Sequence, residues 1–104
     1  MNKYSYNFTE QAKNDVDNIA DYLEHTLSSP QTAKNFLLTI KEKIEMLCIE
    51  PNISPRCQYT PYAQQGIRCA LVKNYKLYYT VNKYARQLDF LFIKHCLQEE
   101  VVPS

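Results

Sequence analysis

Five side chains in the second half of the sequence have the chemistry for metal-free cleavage of RNA. That reaction needs a base for the 2′-hydroxyl, cations for the phosphorane and an acid for the leaving oxygen. The candidates are Lys73 and Lys76 as base or phosphate clamp, Arg68 as clamp, and His95 or Tyr79 as acid. Each residue also has an ordinary structural role, so its position in the fold decides between the two interpretations.

The structural interpretations follow from strand periodicity. Alternate residues of a strand share a face, so Leu91, Ile93 and His95 are expected on one face, with His95 at the end of an apolar row. A core histidine and a catalytic histidine both fit that position. Arg68 also fits a surface or ion-paired arginine. Three tyrosines fit either cross-strand packing or stacking on bases: Tyr75, Tyr78 and Tyr79.

Charge is distributed unevenly along a chain whose net charge is only +1. Residues 1–50 contain five lysines and eight carboxylates, a net charge of −3. Residues 51–104 contain seven lysines and arginines and three carboxylates, a net charge of +4. The basic half favours an anionic partner, either a phosphate backbone or an acidic peptide. The alternative is a random scatter of solvated surface charge.

The four cysteines are widely separated and form no CxxC pair. A zinc site can be written from Cys57, Cys69, His95 and Cys96, but their spacing does not match a zinc motif. Reduced, buried cysteines behave as small apolar residues, and we expect this role for all four, including Cys48. The sequence also has no glycine-rich phosphate loop, so it implies no cofactor and no metal.

The length of 104 residues fits one domain, residues 1–104, large enough for one apolar core. No apolar run approaches the roughly 20 residues that span a bilayer. The first six residues lack the apolar stretch of a signal peptide. We therefore expect a cytoplasmic protein without a membrane segment.

The first half of the sequence predicts a short strand and two helices. Residues 4–8 alternate aromatic and polar types, and Thr9 can cap the helix that follows. Ser29 and Pro30 have the residue types that begin a second helix, which ends before Pro51. The first apolar stripe contains Ala12, Val16, Ile19, Ala20, Leu23 and Leu27. The second contains Ala33, Phe36, Leu37, Ile40, Ile44 and Leu47.

The second half predicts a three-stranded meander. Residues 52–65 have no apolar periodicity and are expected to form a surface loop, whose length suggests either a functional role or a short additional element. The glycine at position 66 marks the entry into strands over residues 67–73, 75–82 and 88–96. The last residues, from Leu97 onward, are expected to fray. The fold class is therefore α+β in the order β-α-α-β-β-β, an antiparallel sheet packed on a helical hairpin.

The order of elements and several short motifs resemble the ParE/RelE superfamily of bacterial toxins, known from plasmid stabilisation and type II toxin–antitoxin systems. The resemblance spans residues 6–95. The matching motifs are Tyr6-x-Phe8-x-x-x-Ala12-x-x-Asp15, Ala33-x-x-Phe36, Leu47 with Pro51, Gly66-Ile67-Arg68, Asn74-Tyr75-x-Leu77-x-Tyr79-x-Val81 and the terminal His95. The long helical hairpin is more similar to the ParE branch.

The resemblance implies one of three functions. A ParE-like toxin binds DNA gyrase and is neutralised by an antitoxin protein. A RelE-like toxin is a metal-free endoribonuclease that cuts mRNA on the ribosome, with the five residues named above as its site. A third possibility is a member that binds antitoxin without harming cells, because Thr80 and Cys96-Leu97-Gln98 stand where the family commonly carries basic residues.

Apolar residues of both parities in the last predicted strand imply that the second face of the sheet is not simply solvated. Leu88, Phe90 and Phe92 have one parity, whereas Leu91 and Ile93 have the other. Antitoxins of this superfamily wrap their toxins with an extended or helical segment. We therefore expect an antitoxin to cover part of the second sheet face and part of the helical hairpin.

Overall fold

The computed structural model describes residues 3–96, and the predicted C-terminal tail from Leu97 onward lies outside these residues. Two long helices lie in the chain between the first strand and the other three strands of a four-stranded sheet. In chain order the elements are β1 (Ser5–Phe8), α1 (Glu10–Asp21), a π-helical turn (Tyr22–Thr26), α2 (Pro30–Ile49), α3 (Thr60–Gln64), β2 (Arg68–Val72), β3 (Tyr75–Asn82) and β4 (Gln87–His95). The predicted α+β class is confirmed.

The sheet has the strand order β1-β4-β3-β2. Strands β2, β3 and β4 form the predicted antiparallel meander. The N-terminal strand adds to the far edge of β4 in parallel orientation, with Phe8 opposite Phe90. The two helices cover one face of this sheet, which we call the helix face, and α1 packs mainly on β4.

Both predicted helix caps are present. The Thr9 hydroxyl accepts a hydrogen bond from the Ala12 N–H at 3.1 Å, and the Ser29 hydroxyl accepts one from the Thr32 N–H at 3.4 Å. Each cap satisfies a backbone donor that has no partner within its own helix. Pro30 occupies the first turn of α2, where its missing N–H costs nothing.

Two predicted core positions are wrong. Leu27 is exposed because the π-helical turn, closed by the Leu27 N–H on the Tyr22 carbonyl at 3.2 Å, is wider than an α-turn and displaces it from the stripe. Leu37 is exposed because it lies about 100° around α2 from the buried Phe36. Apart from Ala20, the remaining members of both stripes lie in the core or pack against it, and Leu23 is buried beside the hairpin turn.

A β-bulge interrupts the pairing of β3 with β4. Tyr78 lies opposite Phe92 and Tyr79 lies opposite Phe90, so Leu91 is the extra residue on β4. A bulge of this kind places two residues against one on the neighbouring strand and increases the local twist.

The bulge explains why apolar residues of both parities occur in β4. Phe90 and Ile93 both lie in the core beneath the helices although their positions differ in parity. Leu91 packs instead with Phe92 on the opposite face. The predicted face shared by Leu91, Ile93 and His95 is therefore wrong for Leu91, since the bulge shifts the alternation at that residue.

The segment before β2 covers part of the second sheet face. It contains helix α3 and an isolated antiparallel bridge between Arg56 and Arg68, so the alternative of a short additional element is the correct one. Tyr62 of α3 packs against Tyr78 and Phe92, with ring centroids 5.7 and 5.5 Å away. This part of the face is covered by the chain itself.

Side chains of α1 continue the edge pairing that β1 begins. Past the end of β1, the Thr9 hydroxyl donates to the Leu91 carbonyl at 2.7 Å. Farther along α1, the Asp15 carboxylate accepts a hydrogen bond from the Ile93 N–H at 2.9 Å. Backbone polar groups of β4 are therefore also hydrogen-bonded after Phe90, where the pairing with β1 ends.

Among residues 3–96, no helix has the length and apolar character to cross a membrane.

Candidate functional site

The structure brings Lys73 and His95 together at one end of the sheet. Both line a cavity of about 830 Å³ between the helical hairpin and the β2–β3 turn. Lys73 is exposed in that turn and has a positive φ of 56°. His95 ends β4 opposite Tyr75, and their rings meet edge to face with centroids 5.1 Å apart. Asp15 also lines this cavity.

Arg68 and Tyr79 form a second group, on the helix face near the end of α2. They lie opposite each other across β2 and β3. The Tyr79 hydroxyl donates to the Pro51 carbonyl at 2.7 Å, and the Arg68 guanidinium donates to the Ser54 carbonyl. These two bonds fix the segment that follows α2, so both side chains have a structural role.

Burial determines the ionisation of Tyr79. Its side chain is 0% exposed, and desolvation raises its pKa above the ordinary value of 10.0. A hydrogen bond with Ser54 and the charge of Arg68 lower the pKa, but they do not cancel the effect of burial. Tyr79 is therefore neutral and already hydrogen-bonded at physiological pH, away from the solvent where RNA would bind.

Lys76 lies on the other face of the sheet. It is directly opposite Lys94 on β4 and Leu71 on β2. The Lys94 ammonium lies over the Phe92 ring, 5.3 Å from its centroid. Leu71, Lys76 and Lys94, which we call the cationic strip, lie side by side on β2, β3 and β4 of this face.

The five candidate residues therefore occupy three separate places. Lys73 and His95 share a cavity, Arg68 and Tyr79 hold a loop in position, and Lys76 belongs to the cationic strip. A metal-free ribonuclease needs base, clamp and acid around one phosphate. The fold does not gather the five residues around a common point.

The residues of the possible zinc site are also separated. Cys57 and Cys69 pack in the small cluster around Ile67 and Tyr78 on the second face, whereas His95 lies on the helix face. Within residues 3–96, no cluster of three or more His, Cys, Asp or Glu side chains has the geometry to hold a metal ion. Burial raises the pKa of the Cys48 thiol above 9.0, which keeps it protonated and unreactive.

Leu71 is a surface residue that the sequence did not single out. It lies on β2, an edge strand of the sheet, and is 60% exposed. The signal that could have found it is the two-residue turn at Lys73 and Asn74. That turn fixes the pairing of β2 with β3 and so places Leu71 opposite Lys76.

Comparison with solved structures identifies the class of fold. The chain is similar to the chromosomal ParDE toxin–antitoxin system from P. aeruginosa, with a TM-score of 0.70 and 20% sequence identity over 91% of this chain and 98% of that chain. It is also similar to the RelBE2 toxin–antitoxin complex from Mycobacterium tuberculosis, with a TM-score of 0.64 and 17% identity over 89% of this chain and 98% of that chain. The fold is that of the ParE/RelE toxins.

The sequence narrows this class to one family. Residues 6–99 match the family described as the ParE toxin of the type II toxin–antitoxin system parDE. Because the match extends over most of the chain, the protein belongs to the ParE toxin family. The predicted resemblance to the ParE branch is thus confirmed. No curated protein sequence matches the chain.

Proposed function

We propose that this chain inhibits bacterial growth in the cytoplasm by binding DNA gyrase, and that a partner antitoxin neutralises it. The observation that carries the proposal is the separation of the five candidate catalytic residues into three places. A toxin that acts by binding needs a surface, not a base, a clamp and an acid around one phosphate. Membership of the ParE toxin family supports the same interpretation.

Induction in cells tests the proposal against its alternatives. The gene is expressed with and without its neighbouring small reading frame while growth, DNA breaks and mRNA integrity are followed. We expect arrested growth and DNA breaks with intact mRNA, and both effects should be relieved by the neighbour. Unimpaired growth would favour a member that no longer harms cells, and rapid mRNA loss would contradict the gyrase proposal.

A RelE-like ribonuclease is the second candidate, because Lys73 and His95 share one cavity. An imidazole and an ammonium in one open cavity can serve as acid and phosphate clamp. Under this hypothesis mRNA cleavage accompanies induction and is lost in His95→Ala and in Lys73→Ala. Unchanged cleavage in both variants would contradict the site assignment.

The outer edge of β2 at Leu71, beyond the bridge between Arg56 and Arg68, is the antitoxin surface that the geometry favours. The Cys69 N–H points away from β3, because it donates to the Pro55 carbonyl at 3.1 Å. Since backbone groups of alternate residues point to the same side, the N–H and C=O of Leu71 also point away from β3. An extended antitoxin segment can pair there and extend the sheet by one strand.

Charge favours an acidic antitoxin segment at this edge. Lys76 and Lys94 lie directly opposite each other next to Leu71, and like charges in that arrangement destabilise a sheet. Carboxylates of a partner would complement these two cations, and an apolar side chain would cover Leu71. The helical hairpin contributes a second surface beside β1, where Leu37 and Tyr6 line a groove of about 540 Å³.

Substitution of Leu71 tests this surface. Leu71→Glu places a carboxylate at the proposed contact, so we expect at least about a tenfold loss of antitoxin affinity, as expected for an interface anchor. Ile53→Glu is the matched control, because Ile53 is also exposed but lies in the segment after α2. Affinity is measured by calorimetry with the co-expressed neighbour. Equal affinity of the two variants would contradict the assignment.

A further inference from the structure

The β3–β4 hairpin ends in a cationic loop with a fully exposed tyrosine. Residues 83–86, which we call the hairpin tip, connect the two strands, and Tyr84 is exposed to 102% of its reference area. Lys83 and Arg86 stand on either side of it and are exposed as well. We propose that the hairpin tip is a contact for single-stranded nucleic acid, with Tyr84 stacked on an unpaired base and the neighbouring cations on phosphates.

The conformation of the hairpin tip is fixed from both sides. The Asn82 side-chain oxygen accepts a hydrogen bond from the Ala85 N–H at 2.9 Å. Arg86 has a positive φ of 52°, and its carbonyl accepts hydrogen bonds from the Ser5 N–H at 3.0 Å and the Ser5 hydroxyl at 3.3 Å. A loop held in this way loses little conformational entropy on binding, which favours its use as a recognition element.

The N-terminal end of β1 adds to the positive charge beside the tip. The Arg86 guanidinium lies over the Tyr4 ring, 4.8 Å from its centroid. Tyr4 is itself anchored, since its N–H donates to the Cys48 carbonyl at 2.9 Å. Lys3 directly precedes Tyr4 and is exposed. Three cations therefore lie at this end of the sheet: Lys3, Lys83 and Arg86.

Two carboxylates also lie near this end of the sheet, on β4 and on α2. Asp89 lies within β4, where its carboxylate accepts a hydrogen bond from the Gln87 amide at 2.8 Å. Glu45 lies on α2 and lines the groove between that helix and β1. Residues 83–86 themselves contain two cations, Lys83 and Arg86, and no acidic residue.

The chemistry of the tip favours a nucleic acid over a protein partner. Aromatic anchors in protein interfaces sit in packed apolar patches that exclude water around them. Tyr84 instead projects from a four-residue loop whose other members are Lys83, Ala85 and Arg86. An exposed ring beside cations is the arrangement that stacks on bases while the cations follow the backbone, and only an unpaired base offers its face.

The proposal goes beyond the gyrase hypothesis and does not depend on it. The hairpin tip and the cavity with Lys73 and His95 lie at opposite ends of the sheet, because β4 runs from Gln87 at the tip to His95 at the cavity. Binding of an oligonucleotide to the purified chain can therefore be measured without gyrase, antitoxin or RNA cleavage. Failure of either hypothesis leaves the other testable.

Fluorescence anisotropy with a labelled oligothymidine of about 16 nucleotides tests the proposal. We expect the logarithm of the association constant to fall with the logarithm of salt concentration with a slope of about −2, since three cations each contribute about 0.7 on a single strand. Lys83→Ala should reduce this slope by about 0.7. Tyr84→Ala should weaken binding at least about fivefold through the lost stacking.

Control variants separate stacking from general charge. Tyr84→Phe keeps the ring and should bind as the unmodified chain does. Tyr22→Ala removes a half-exposed tyrosine beside Asp21, and Lys13→Ala removes an exposed cation of α1; neither should change the affinity. Far-ultraviolet circular dichroism confirms that every variant is folded.

Three results would overturn the proposal. The first is no binding at low salt in the unmodified chain. The second is equal affinity in Tyr84→Ala and the unmodified chain, which would show charge attraction without stacking. The third is a loss in Lys94→Ala as large as that in Lys83→Ala, which would place the nucleic acid on the cationic strip instead of the hairpin tip.

Discussion

Tyr79 shows how a residue with catalytic chemistry serves the fold. Its ring fills the core beneath the helices and packs on Phe90 with centroids 5.7 Å apart. Its hydroxyl reaches past the core to the Pro51 carbonyl. A buried hydroxyl must find a partner, and the carbonyl at the end of α2 supplies one. The same side chain therefore contributes apolar burial and fixes the segment after α2.

The variant Tyr79→Phe tests how much the hydrogen bond between Tyr79 and Pro51 contributes to stability. At neutral pH we expect a loss of about 1 kcal/mol in the free energy of unfolding, because the Pro51 carbonyl is left without its donor. Urea denaturation followed by circular dichroism gives the value. Tyr84→Phe is the control, since its hydroxyl is on an exposed ring. An unchanged midpoint in Tyr79→Phe would contradict the structural role.

The raised pKa of Tyr79 predicts how the stability difference between the unmodified chain and Tyr79→Phe depends on pH. In the unfolded chain the phenol ionises near 10.0, whereas in the folded chain it stays protonated to a higher pH. Above about pH 10 the unfolded state therefore binds fewer protons, and the folded state loses stability as pH rises. We expect the advantage of the unmodified chain over Tyr79→Phe to shrink between pH 9 and pH 11. This range extends about one unit on either side of the ordinary tyrosine pKa. A difference in the free energy of unfolding that stays constant across it would contradict the burial of Tyr79.

At the scale of elements, α1 and β1 act as one unit along the edge of β4. β1 pairs with only the first part of β4, and side chains from the start of α1 take over after Phe90. The Asp15 carboxylate also accepts a hydrogen bond from the Gln11 amide at 2.7 Å, which holds it in position. This arrangement couples helix packing to strand pairing.

Substitution of Asp15 tests the coupling. Asp15→Ala removes the acceptor of the partly buried Ile93 N–H, so we expect a loss of about 1–3 kcal/mol in the free energy of unfolding. Asp17→Ala removes an exposed carboxylate of the same helix and should have little effect. Thermal or urea denaturation distinguishes the two. Similar stability of both variants would show that Asp15 does not support the β4 edge.

Elements determined by neighbouring residues were predicted from the sequence. The caps at Thr9 and Ser29, the tight turn at Lys73 and the meander follow from local residue types and spacing. The parallel pairing of β1 with β4 and the bulge at Leu91 did not follow, because both depend on partners far away in sequence.

In the candidate site, too, residue types were predictable from the sequence, whereas contacts between residues distant in the chain were not. The sequence identified the chemistry of Arg68, Tyr79 and His95 but not their separation, since strand parity alone cannot include a bulge or a cavity. The Tyr79 hydroxyl finds its acceptor 28 residues away in the chain, at Pro51. Periodicity carries no information on such a contact. The exposed Leu71 and Tyr84 were missed because apolar type alone predicts burial.

At the scale of the whole molecule, the predicted charge asymmetry becomes a difference between two layers. Three carboxylates of α1 are exposed on the helical layer: Glu10, Asp17 and Asp21. The pair of Asp21 with His25, 3.3 Å apart, is exposed as well and contributes little stability. Cations concentrate on the sheet, in the cationic strip and at the hairpin tip. Each layer thus presents a different electrostatic surface to a partner, and salt should weaken binding at both cationic surfaces.

Gyrase binding is the central claim at this scale, and supercoiling of relaxed plasmid by purified gyrase tests it most directly. The purified chain is added in stoichiometric excess, and the topoisomers are resolved on an agarose gel. We expect that supercoiling is inhibited and that prior addition of the antitoxin restores it. Supercoiling that proceeds unchanged in the presence of excess folded toxin would contradict gyrase binding.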